Sequence, residues 1–273
     1  FAAGCSSRVL PGAGPGAGQP RAGGTLRYGL TLAASGIDPH VHASSELGIM
    51  LSSVYDTLVL QDSQGRFHPY LAEGWEISAD GRVYTFRLHP GVKFHDGTHF
   101  DAAAVVRNLE RVADPATHSQ KARLLLGPFD HAEALDAQTV MIVLKEAYTP
   151  LLNGLSQVYL GMASPAALDE WGDQCQLHQV GTGPFRFVSY AERSSLVLER
   201  NPDYAWAPTL RAHGGAAYLD RIEFRIFADP ATRLPALLSG QADIMGELPP
   251  IDAIQLANRQ DFWLYPVAVP GQS

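Results

Sequence analysis

Hydrophobic and polar residues alternate with a period of two from Val83 to Leu88, where Tyr84, Phe86 and Leu88 face one way and Val83, Thr85 and Arg87 the other. That is the pattern of a half-buried strand, and Ala79-Asp80-Gly81 just before it supplies turn chemistry, so the segment reads as a hairpin. The period then lengthens: Val105, Val106, Leu109 and Val112 fall on one helical face, with Asp101 placed as N-cap and Asp114-Pro115 as the stop. Thr25 to Leu30 alternates like a strand and runs into the turn-rich loop Ser35 to His40. Beyond it, Leu47, Met50, Leu51 and Val54, with Tyr55 and Leu58 carrying the spacing forward, predict a helix over 46–60. Further strands are marked by Val140, Ile142 and Leu144, by a hairpin of 185–190 and 195–199, and by Ile222, Phe224 and Ile226. Ser164-Pro165 and Asp229-Pro230 each place a capping side chain before a proline in the first helical turn. Leu234, Leu237 and Leu238 form the expected buried face of the second of these helices, and Gly240 ends it. A short strand from Asp243 and a longer one over 262–269 complete an α/β pattern.

With 273 residues, 46% of them hydrophobic and 18% charged, the chain can bury one large or two modest cores. Its net charge of -8 comes from dispersed carboxylates with no basic run, which argues against nucleic acid as a partner. No apolar run reaches the ~20 residues of a membrane-spanning helix. The start of the sequence still points to a membrane. Small residues precede Cys5 in Phe1-Ala2-Ala3-Gly4-Cys5, as at the end of a bacterial lipoprotein signal, and Cys5 is then the site of acylation. Residues 10–24 are Gly, Pro and Ala with little apolar bulk, a flexible tether suited to holding a body off a bilayer. With Cys5 lipidated, Cys175 is left without a partner, and no disulfide framework is implied.

The block 74–109, together with Leu71-Ala72-Glu73-Gly74-Trp75 before it and Gly181-Thr182-Gly183-Pro184-Phe185 after it, resembles the family 5 extracellular solute-binding proteins, the peptide and nickel receptors of ABC importers. The resemblance covers about residues 24–270. It implies a periplasmic-binding-protein-like fold (type II, cluster C) of class α/β. Residues 24–60 and 180–270 would form the first lobe and residues 61–179 an inserted α+β subdomain. The second lobe of such receptors would be missing, so the surface facing the hinge is expected to be exposed.

The same resemblance places ligand contacts just after the loop Asp38-Pro39-His40, at the carboxyl end of the first strand. His42, Ser44 and Ser45 are therefore candidate ligand-binding residues, with His40 and Arg123 beside them. Asp38 and His40 also fit a purely local role, as hydrogen-bonding groups that stabilise the loop. His40 and His42 alternate on an extended segment and suit a metal, but no third ligand is identifiable nearby. The nickel-type relatives carry arginine and tryptophan around the segment matching 118–126. Here Lys121 and Arg123 are present without the tryptophan, and both also fit a solvated helix face. His95-Asp96-Gly97-Thr98-His99 is metal-like in composition, yet Asp-Gly is first of all turn chemistry.

No Gly-x-Ser-x-Gly, His-Glu-x-x-His or phosphate loop is present, and Gly181-Thr182-Gly183 reads as a bend where backbones approach closely. Neither an enzyme nor a cofactor is expected. The expectation is an extracytoplasmic, lipid-anchored receptor, periplasmic or at the cell surface, that binds a peptide or similar small solute and hands it to ABC permease subunits. A nickel or metal-chelate receptor of the same family and a non-transport ligand sensor are the alternatives.

Overall fold

The computed structural model describes residues 20–265 apart from 212 and 258, so Cys5 and most of the tether lie outside the described residues. Two larger sheets organise them. The alternation at Thr25–Leu30 forms β1, which enters a five-stranded sheet next to β11 (Ile244–Met245) and β10 (Arg221–Ile226), parallel to both. The sheet continues antiparallel through β9 (Ser195–Arg200) to β8 (Phe185–Ala191). Leu196, Leu198, Ile222 and Phe224 point into its core.

The second sheet is antiparallel, in the order β4 (Ala72–Ile77), β5 (Val83–Leu88), β7 (Thr139–Leu144), β6 (Phe129–Ala134). Tyr84, Phe86 and Leu88 of β5 and Val140, Ile142 and Leu144 of β7 share one face. Against it packs α2 (Ala102–Ala113), whose Ala104, Val105, Leu109 and Val112 are buried. The larger of these, Val105, Leu109 and Val112, each contribute about 1.5–3 kcal/mol of transfer free energy. The Asp101 carboxylate accepts from the Ala104 N–H at 2.8 Å, which caps α2 as its sequence predicts. Asn108, buried on the same helix, pairs with the backbone of Ala163 through both its amide groups at 2.8 and 2.9 Å, and so fixes segment 161–164 to α2. A short hairpin, β2 (Val59–Gln61) with β3 (Phe67–Pro69), leads into this sheet.

The helix predicted over 46–60 is shorter: α1 spans Ser45–Leu51, and residues 59–61 are strand β2. The cause is the turn Gly181-Thr182-Gly183. The carbonyl oxygens of Ser53 and Val54, which a longer helix would use internally, accept instead from the N–H groups of Phe185 and Gly183 at 3.0 and 2.9 Å. The approach is so close that a Cβ on Gly181 would lie 2.1 Å from the Val54 carbonyl oxygen. His95 clamps the other side of this turn, with Nε2 2.9 Å from the Gly183 carbonyl oxygen and Nδ1 accepting from the Gly181 N–H at 3.3 Å. Asp96 accepts from Thr98 and Ser164, so the histidine-rich turn is engaged in holding backbone.

The remaining helices connect these parts: α3 (Lys121–Leu126), α4 (Leu151–Leu155) and α5 (Pro165–Trp171), then α6 (Pro230–Leu238) and α7 (Pro250–Leu256). The buried face of α6 is Arg233 and Ala236 rather than Leu234, Leu237 and Leu238; Arg233 turns inward to donate to the carbonyl oxygens of Phe227 and Ala228. Leu238 is half exposed. Residues 262–265 form no strand, and Trp263, Leu264 and Tyr265 are exposed.

Candidate functional site

The loop after β1 is fastened from several sides, and its first half is buried. Arg111, on α2, donates two hydrogen bonds to the Asp38 carboxylate, at 3.2 and 2.7 Å, and a third to His40 Nδ1 at 2.9 Å. Because Nδ1 accepts, the ring proton sits on Nε2, which lies 2.9 Å from the Gly161 carbonyl oxygen and donates to it. Burial alone would push the Asp38 carboxyl up, but the guanidinium overcomes this and holds it below the usual carboxylate range. Burial, then the Arg111 charge, bring His40 down to about 4, so its ring is neutral at physiological pH. Gln179 donates to the Ile37 carbonyl oxygen at 3.0 Å and accepts from the Tyr55 hydroxyl.

The second half of the loop is different. His42 lies against Gly36, where any Cβ would come within 2.1 Å of its ring, and Nδ1 stands 3.3 Å from the Asp38 carbonyl oxygen. The rest of the ring is half-buried. The Val41 carbonyl oxygen accepts from the Gln120 N–H at 3.0 Å, which ties the loop to the start of α3. The Ser44 carbonyl oxygen accepts from the Tyr159 hydroxyl at 2.8 Å, while the Ser44 hydroxyl is enclosed and has no hydrogen-bond partner. It is the one such side-chain atom among the described residues. An enclosed, unpaired hydroxyl costs about 1–3 kcal/mol, which makes Ser44 unusual among residues that otherwise satisfy one another. Ser45 is exposed and hydrogen-bonds only to its neighbour Glu46. Lys121 holds its ammonium 4.0 Å above the centroid of the Tyr159 ring, and no carboxylate pairs with it among the described residues.

Ser44, Lys121 and Tyr159 thus form one group, with His42 two residues before Ser44 on the same loop. Arg123 is not part of that group: it lies two positions along α3 and donates to the Gly127 carbonyl oxygen at 2.7 Å, closing its own helix. His40 has both ring nitrogens engaged inside the protein. Arg111 and Tyr159 had no distinguishing sequence signal. Arg111 is one polar position on an amphipathic helix, and Tyr159 sits in an irregular apolar stretch. No cluster of three or more His, Cys, Asp or Glu side chains able to hold a metal ion occurs among the described residues.

A second buried carboxylate anchors the base of this region. Asp56, fully enclosed, accepts from Thr182 and from the Trp206 indole, each at 3.0 Å, and from the Tyr70 hydroxyl. Burial pushes its carboxyl up to about 6, against the pull of those three hydrogen bonds.

This fold, with a polar loop at the carboxyl end of a sheet strand and a subsidiary sheet inserted after it, is shared with solved solute-binding proteins of ABC transporters. Residues 66–271 match the family described as bacterial extracellular solute-binding proteins, family 5 (middle), and the chain belongs to that family. It is 36% identical over 213 residues to the glutathione-binding protein GsiB of Pectobacterium atrosepticum, an alignment covering 78% of this chain and 40% of that one. Among solved structures it superposes with TM-score 0.76 and 30% identity on DppA of Helicobacter pylori, determined with the peptide STSA, over 88% of this chain and 49% of that one. A nickel ABC transporter protein of Bacillus halodurans gives a TM-score of 0.72 at 29% identity, covering 86% and 45%. The chain therefore spans about two fifths to one half of the length of these relatives.

Proposed function

We propose that this chain forms the first lobe, with its inserted subdomain, of an extracytoplasmic solute-binding protein that captures a peptide or similar small solute and delivers it to an ABC permease. Residues 24–60 and 180–270 make the lobe and residues 61–179 the insertion. Attachment to a membrane through Cys5 belongs to the same reading. Its support is family membership, a GsiB relative whose name states glutathione binding, and a structural relative determined with a bound peptide. The observation that carries it within this molecule is the loop 41–45. Its backbone is held rigidly from behind by Gln120 and Tyr159, while Ser44 and Lys121 keep polar groups that the protein itself does not satisfy. Binding sites combine such a fixed frame with a few unmet polar groups.

Amide chemical-shift mapping of the chain with glutathione, with tri- and tetrapeptides, and with Ni(II) and histidine tests the reading. Perturbations concentrated on residues 41–45, 121 and 159 with at least one of these solutes are expected. Absence of any perturbation at millimolar solute, or perturbations only elsewhere, would overturn it.

A further inference from the structure

Lys121 and Ser44 are both incomplete, and Tyr159 joins them. A lysine ammonium carries three donors and a full charge; here it rests on an aromatic face, which orients a cation but accepts none of its hydrogen bonds. The hydroxyl of that same tyrosine is committed to the Ser44 carbonyl oxygen, which ties the ring to the loop. The Ser44 hydroxyl has no partner where it stands, but the residue as a whole is only partly buried, and a serine side chain has two other staggered positions about its Cα–Cβ bond. On the far side of the loop the arrangement is opposite: Asp38, His40 and Arg111 satisfy each other, and no charge there is left over.

Resting on the proposed function above, we propose that the solute received by this loop carries a carboxylate, which binds between the Lys121 ammonium and an outward-turned Ser44 hydroxyl. The ammonium supplies charge and hydrogen bonds, and the serine exchanges an unsatisfied enclosed position for a charge-assisted bond. His42, beside Ser44, forms the flank of the subsite. The loop thereby selects anionic solutes over amidated or esterified ones of the same shape.

The test compares matched ligands by isothermal titration on the chain as it stands: glutathione against its diethyl ester, and trialanine against trialanine amide. The parent protein is expected to bind the free acid about tenfold more tightly than its neutral analogue in at least one pair. Lys121→Gln should remove that preference, chiefly by weakening the acid, and Lys121→Arg should retain most of it. Ser44→Ala should weaken the acid while raising the melting temperature of the ligand-free protein, because an unpaired hydroxyl has been removed. Binding of acid and neutral analogue with equal affinity, or an equal loss for both in Lys121→Gln, would overturn the subsite and leave the receptor reading intact. Binding of neither pair would also overturn the subsite, while the receptor reading stands or falls with the wider solute series above.

Discussion

Asp38 and Asp56 are both carboxylates removed from water, and the protein stabilises them by different means. Asp38 has a guanidinium fitted to both its oxygens, and its carboxyl is held below the usual range. Asp56 accepts hydrogen bonds only from the neutral donors of Tyr70, Thr182 and Trp206, with Arg211 a lesser pull, and burial carries its carboxyl up to about 6. Three well-placed neutral hydrogen bonds do not replace the hydration of a buried charge, whereas one bidentate cation does. The difference fits their positions. Asp38 fixes the loop that carries the candidate ligand contacts, where a wavering charge would move the loop. Asp56 sits at a junction of β2, the glycine turn and segment 204–206, where a hub of directional acceptors is what the packing needs.

Removing the cation breaks the comparison most severely. Arg111→Met leaves Asp38 and its charge buried without a counter-ion, at an expected cost of about 3–5 kcal/mol by urea denaturation at pH 7. Asp38→Asn combined with Arg111→Met should cost clearly less, because the stranded charge is gone. A single variant no less stable than the double one would contradict the assignment. The second expectation concerns pH. In the folded chain Asp56 holds its proton to about pH 6, whereas in the unfolded chain it releases it near 3.8. Between these values the folded state binds more protons, so this group's contribution to stability falls as pH rises, by about 3 kcal/mol in total. His40 and His95, both brought down to about 4 by burial, act in the opposite direction over the same range. The parent's own pH curve is therefore a sum. The clean quantity is the difference from Asp56→Asn, whose stability relative to the parent should improve by about 2.4 kcal/mol from pH 4 to pH 7. A pH-independent difference would mean that Asp56 titrates alike in both states.

The two carboxylates were not equally visible in the sequence: Asp38 stood out in its Asp-Pro-His loop, and Asp56 did not stand out at all. Strand β5, helix α2 with its Asp101 cap, and the β8–β9 hairpin were legible because their periodicity and capping chemistry are local. The end of α1 was not, since its carbonyl groups are claimed by Gly183 and Phe185, more than 100 residues away in sequence, and no local pattern records that. Leu234, Leu237 and Leu238 have helical spacing, yet Arg233 takes the inner face of α6 because two stray carbonyl oxygens need donors. In the candidate site the loop itself could be placed from Asp38-Pro39-His40. The partition into a satisfied half and an unsatisfied half depends on Arg111 and Tyr159, which reach the loop from separate elements. Arg123 and Lys121 looked alike as basic residues on one short helix, and only the turn of α3 decides that one closes the helix and the other meets Tyr159.

Thr182→Val makes the smallest of these changes and sharpens the comparison most directly. It keeps the shape of a buried side chain, removes one of the three donors to Asp56, and leaves the glycines on either side of the turn in place. The lost bond is to a charged acceptor above pH 6 and to a neutral one below it, and charge-assisted bonds are the stronger. The variant should therefore be less stable than its parent by about 2 kcal/mol at pH 7.5 and by about 1 kcal/mol at pH 5, where Asp56 is protonated in both. Its Asp56 carboxyl should also titrate higher than in the parent, which carbon-detected NMR of that carboxyl can follow. A loss of equal size at both pH values would assign Thr182 to packing of the glycine turn, and would leave burial and the remaining donors, Tyr70 and Trp206, to set the state of Asp56.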